Sequence, residues 1–162
     1  MGFPDKRATV AAFRARITAE IDTATRAAKD AAAAATHEEN KPENDKDMRS
    51  TEASYIAKGQ ADRVRALEHS LVMLDAMELK TFGEDDAIAV SALVAVETKG
   101  QTATYLVVPV AGGMKANVDG HEVQTLAMTS PLGRALIGLR AGDDAEVQTP
   151  QGMKISTVAG VR

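Results

Sequence analysis

Five carboxylates stand between His37 and Asp47: Glu38, Glu39, Glu43, Asp45 and Asp47, against two lysines, Lys41 and Lys46. Carboxylate oxygens are hard donors of the kind Mg2+ takes. A solvated turn would carry the same charges, so the stretch gains meaning only from where the chain places it. Other reactive residue types are less promising. His37, His69 and His121 are far apart in the sequence and form no ligand motif. Ser130 has no His or Asp spaced to activate it, so it reads as a helix cap and not a nucleophile. There is no cysteine, which excludes disulfides and Cys-based zinc sites and fits a reducing, cytoplasmic setting.

Two helical patterns flank the acidic stretch. Upstream, small or apolar residues recur every three or four positions at Val10, Phe13, Ile17, Ile21, Ala24, Ala28, Ala31 and Ala35. Downstream the same rhythm runs Ala53, Ile56, Val64, Leu67, Leu71, Leu74. The two faces match when folded back: Val10 with Leu74, Phe13 with Leu71, Ile17 with Leu67, Ala28 with Ile56 and Ala31 with Ala53 all sum to 84. The fold point is then Pro42, a residue excluded from helix interiors. This predicts an antiparallel coiled-coil hairpin over residues 1–80, bulky at its base and slim at an acidic tip. Helix one runs from Pro4 or Asp5 to about Thr36. Helix two starts between Glu43 and Ser50 and ends near Leu79. Gly59 falls opposite Thr25 in this register and suggests a close helix–helix approach. Tyr55 reads as packing.

Residues 81–86 form a linker, and the period then changes to two. Ile88, Val90, Val94 and Val96 alternate with Ala89, Ser91, Leu93 and Ala95, as in a strand covered on both faces. Lys99-Gly100 turns into a partner strand over 102–110; Gly112-Gly113 and Asp119-Gly120 are turn signals, and 122–128 is a further strand. Ser130-Pro131 opens a short helix that stops at Gly138. Residues 143–149 and 153–161 form a last hairpin turned by Pro150-Gln151-Gly152. The expected class is α+β: a helical hairpin, then an antiparallel sheet with one short helix over 87–162.

A net charge of −4 supplies no global basic field for nucleic acid. The charge is uneven, because removing the tip leaves the first half weakly basic. Arg14, Arg16, Arg26, Lys29, Lys58, Arg63 and Arg65 read first as solvated coiled-coil charges. No run approaches the ~18 apolar residues of a membrane span, and the N-terminus lacks a signal-peptide core, so no membrane partner is expected.

Ser130-Pro131-Leu132-Gly133-Arg134-Ala135-Leu136-Ile137-Gly138, followed by Ala141-Gly142-Asp143-Asp144 and Val147-Gln148-Thr149-Pro150-Gln151-Gly152, resembles the closing segment of the Gre family of bacterial transcription elongation factors. The resemblance implies an FKBP-like C-terminal domain that docks on RNA polymerase at the rim of its secondary channel, with Ser130, Pro131, Leu132, Gly133 and Arg134 at the contact. It further implies a coiled coil that enters the channel. Acidic residues at its tip (here Glu43, Asp45 and Asp47) would act in cleavage of backtracked RNA at the nascent 3' end. Glu43 and Asp45 would share Mg2+ with the polymerase active site, so the factor is an accessory and not itself an enzyme. The tip departs from the family pattern: Glu43 and Asn44 match it, while Asn40 stands where the family has Asp. Two alternatives follow: a regulator or inhibitor that occupies the channel without cleavage, and an FKBP-like prolyl isomerase. The isomerase ranks last because Tyr105 is the sole aromatic past the linker.

The register carries a direct test. Cysteines placed at Phe13 and Leu71, or at Ile17 and Leu67, should crosslink within one molecule on mild oxidation. Bridges that form only between molecules would mean that the helices pair in trans and that Pro42 is no apex.

Overall fold

The computed structural model describes residues 2–39 and 45–162, with the side chains of 37–39 and 45–47 left aside. The order is α1 (Lys6–Glu39), α2 (Asp45–Ala76), β1 (Leu93–Thr98), β2 (Gln101–Val108), β3 (Lys115–Val118), β4 (His121–Ala127), α3 (Pro131–Leu136), β5 (Asp144–Thr149) and β6 (Gly152–Val161). Two long helices are thus followed by a sheet domain with one short helix, as the pattern of periods predicts. The chain divides into two compact units, residues 15–72 and residues 1–14 with 73–162.

The first unit holds the greater part of both long helices. Arg63 of α2 donates to Glu20 of α1 at 3.5 Å, which fixes the helices side by side. Their numbers sum to 83, one short of the register read from the sequence. On α1, Ile17, Ala24 and Ala35 are buried. On α2 a line of less exposed positions runs through Ala53, Ala57, Gln60, Val64, Leu67 and Leu71, with Ala61 and Ser70 beside it. That is a four–three spacing, the 3.5-residue repeat of a coiled-coil seam.

Three expectations fail here for the same reason. Ile56 is 57% exposed and Tyr55 72% exposed, because the seam passes through Ala53 and Ala57 and leaves both side chains turned away from it. The expected pairing of Ala28 with Ile56 is lost with them. Gly59 also faces away: a methyl group added there would meet nothing within 4 Å, so no close helix approach requires it.

In the second unit, Asp5 starts α1. Its Oδ1 accepts the N–H of Ala8 at 2.8 Å, satisfying one of the donors left open in a first turn. The sheet order is β3-β4-β2-β1-β6-β5. One pair, β2 with β4, is parallel, which corrects the expectation of a wholly antiparallel sheet. The reason is β3. This four-residue strand, absent from the sequence reading, pairs with β4 on the outside, so β4 enters beside β2 in the same direction. Val118 is its sole buried residue, too little for a visible alternation. The turn that follows was legible: Asp119 and Gly120 both have positive φ, 52° and 80°, as a two-residue hairpin turn requires.

The first strand also starts later than expected, at Leu93 and not near Ile88. Ser91 has φ 75°, its N–H bonds Val107 O and its Oγ accepts the N–H of Lys80. The chain therefore turns at the position where alternation suggests a straight run. Once β1 begins, both faces are covered: Leu93 and Val94 are each fully buried. The core on one side gathers Val94, Val96, Val107, Leu126 and Val158 under Leu136 of α3.

Replacing Gly59 by alanine removes a flexible residue from an exposed helix interior at no steric cost. It should stabilise the chain by about 0.5–1 kcal/mol in urea unfolding.

Candidate functional site

The sequence nominates two places, the acidic apex and the Ser130 helix. Of the apex residues, Asn40 and Glu43 lie outside the described residues. Asp45 and Asp47 lie on the first turn of α2 by their backbone, with side chains outside the description. No three His, Cys, Asp or Glu side chains come together in a metal-holding group among the described residues.

The Ser130 helix is fully described. Ser130 Oγ accepts the N–H of Gly133 at 3.1 Å and donates to the carbonyl of Ala127 at 2.7 Å. One hydroxyl thus starts α3 and ties it to the end of β4. Pro131 at the first helical position gives up an N–H that has no partner in any helix. Gly133 is where α3 lies against β4: a Cβ there would stand 2.1 Å from the Ala127 carbonyl oxygen. Leu132 is half-buried against the core and Leu136 fully buried. The five residues Ser130 to Arg134 therefore divide by role. Ser130, Leu132 and Gly133 hold the helix down, while Pro131 and Arg134 face outward.

The segment after α3 is fastened just as locally. Gly138 has φ 87°, its N–H bonds Ile88 O, and Ile88 N–H bonds Leu139 O. Asp143 Oδ2 accepts the N–H of Arg140 at 2.8 Å, and Arg140 Nε donates to Asp85 O at 2.9 Å. These bonds tie the start of the domain to its middle. Beside the helix, the sheet carries an open hollow of about 740 Å3, with Tyr105, Leu132, Met153 and Ile155 as its apolar lining. Tyr105 is its one aromatic wall.

The basic side chains of the coil are partly engaged in ion pairs. Arg16 pairs with Glu20 at 3.5 Å and Arg65 with Asp62 at 3.1 Å, alongside Arg63 with Glu20. Arg14 binds both oxygens of Asp75 at 2.9 and 3.3 Å. The cation of each pair is exposed, so each contributes at most about 1 kcal/mol.

Residues 84–162 match the family model described as Transcription elongation factor, GreA/GreB, C-term. Residues 84–162 are a GreA/GreB C-terminal domain by this match. The match begins in the linker and includes every strand and α3. The chain is similar to Transcription elongation factor GreA of Thermomicrobium roseum, 30% identical over 100 residues, which are 62% of this chain and 60% of that one. It is also similar to GreA of Nitrosococcus oceani, 31% identical over 102 residues, 61% of this chain and 60% of that one. The matched part thus spans about three fifths of the length of these GreA proteins. The GreA factor homolog 1 protein of Thermus thermophilus aligns over 92% of this chain and 94% of its own, at 20% identity and a TM-score of 0.38.

The contact between Gly133 and Ala127 sets a measurable constraint on this Gre-family domain. Gly133→Ala should lower stability by about 1–3 kcal/mol, since backbone has to move. Ser130→Ala should cost about 1 kcal/mol as a lost cap. Urea unfolding of the full chain reads both; Arg134→Ala, outward-facing, should stay within about 0.5 kcal/mol of the parent.

Proposed function

We propose that this chain is a transcription elongation factor that binds bacterial RNA polymerase at its secondary channel and stimulates cleavage of backtracked RNA. The observation that carries this reading is the Ser130–Gly138 helix, built into a GreA/GreB C-terminal domain that follows two long helices. Pro131 and Arg134 are the outward-facing members of the docking set, and Ser130, Leu132 and Gly133 hold them in place.

The acidic residues Glu43, Asp45 and Asp47 would work at the polymerase active site, next to the nascent RNA 3' end. Their oxygen donors suit Mg2+, and two carboxylates would leave most of an octahedral shell to other ligands. That fits an ion shared with the polymerase and not held by this chain alone. When bound, Mg2+ polarises a phosphoryl oxygen and lowers the pKa of water. Glu43 and Asp45 would orient donors toward it, and the factor remains an accessory to the polymerase's own chemistry.

A second reading rests on Asn40. An uncharged amide where Gre factors carry Asp weakens the metal-holding set, and a channel occupant without cleavage would slow nucleotide addition instead.

Cleavage of RNA in a stalled, backtracked complex with the cognate polymerase separates the two. Glu43→Gln and Asp45→Asn should each lower the cleavage rate by about tenfold or more with polymerase affinity nearly unchanged, because the lost interaction is made at the reacting centre. Asn40→Asp should raise the rate. A parent protein that slows elongation and never shortens RNA at any Mg2+ concentration supports the second reading. Cleavage unchanged in the Glu43→Gln/Asp45→Asn double variant would remove these residues from the mechanism.

A further inference from the structure

Within the sheet-containing unit, a cavity of about 360 Å3 opens between the start of α1, the segment 79–81 and the end of β6. Four cations line it, Lys6, Arg7, Lys80 and Arg162, against one carboxylate, Asp5. Asp5 already spends Oδ1 on the N–H of Ala8. Among the described residues, no carboxylate is within ion-pair distance of any of the four cations. Lys6 is the most enclosed. Its ammonium donates to the carbonyl of Lys80 and lies 4.8 Å from the centre of the Phe82 ring. Burial first, and then the nearby Arg162 cation, lower its pKa from 10.5 to about 8.

The first turn of α1 has no acidic residue, and cations there oppose the helix dipole. Like charges around a partly enclosed space repel each other, and a bound anion relieves that repulsion. The donor types narrow the choice. Two guanidinium forks and two ammonium groups suit a multiply charged oxyanion with several acceptor oxygens better than a single carboxylate. The volume admits one or two phosphate groups.

We propose that this cavity is a binding site for a phosphate-bearing anion, held by Lys6, Arg7, Lys80 and Arg162. A free polyphosphate and the backbone of a nucleic acid share that chemistry. Lys6 is the group whose charge responds: the bound anion favours its protonated form, so affinity should be highest below about pH 8 and fall as pH rises through it. Asp5, Arg7, Lys80 and Arg162 are the other charged side chains around the cavity.

The test titrates the full chain by calorimetry with inorganic pyrophosphate and, separately, with a short single-stranded RNA, both at matched ionic strength. Binding by pyrophosphate at one site per chain points to a free polyphosphate; binding by RNA alone points to a phosphodiester backbone. In either case Arg7→Gln/Lys80→Gln should weaken binding at least tenfold. Both side chains are exposed, so circular dichroism should report an unchanged fold. The side-chain NMR titration of Lys6 should move up from about 8 with the bound probe, and not with the same ionic strength of sodium chloride. Absence of saturable binding by both probes, or affinity unchanged in the double variant, would overturn the proposal.

Discussion

The sheet domain depends on one close approach, the contact of Gly133 with the carbonyl of Ala127. A helix can lie directly on the last turn of a strand only where no Cβ intervenes, and 2.1 Å leaves no room for one. Ser130 adds the directional part, accepting from Gly133 and donating to the same Ala127 carbonyl. With α3 fixed at that height, Leu136 reaches the core and Gly138 meets Ile88. The stretch Ser-Pro-Leu-Gly is thus first of all a structural clamp, and its outward-facing residues, Pro131 and Arg134, are what it presents.

The long helices solve a different problem. Small side chains near the tip leave little apolar area to bury, and alanine supplies helix propensity in its place. Ile17, Ala24 and Ala35 bury well on α1, while Tyr55 and Ile56 stay exposed on α2. Alanine at the seam keeps the helix pair slim. Glu20 is a half-buried acid whose partners, Arg16 and Arg63, come from both helices.

Charge is distributed to match. Arg14, Arg16, Arg63 and Arg65 of the long helices have carboxylate partners, whereas among the described residues Lys6, Arg7, Lys80 and Arg162 have none within ion-pair distance. Exposed pairs contribute little to stability, but they keep the coil's field local. Lys6, partly buried and next to Arg162, has a lowered pKa, burial being the larger cause.

Much of the fold was legible in the residues alone because its signals are local. A 3.5-residue repeat, a Ser-Pro helix start, an Asp-Gly turn and a change of period from helical to two each depend on neighbours along the chain. They determined two long helices, the short α3, the β5–β6 hairpin and the candidate site at Ser130. What only the tertiary structure decided was non-local. The seam's phase, which excludes Ile56 and frees Gly59, depends on both helices at once. The parallel β2–β4 pair depends on a four-residue strand with one buried side chain. Ser91 turns the chain against an alternating pattern because its backbone bonds to Val107, sixteen residues away. The need for glycine at 133 rests on Ala127, a residue of another element. The cation-lined cavity joins residues from both ends of the sequence, which no spacing rule could bring together.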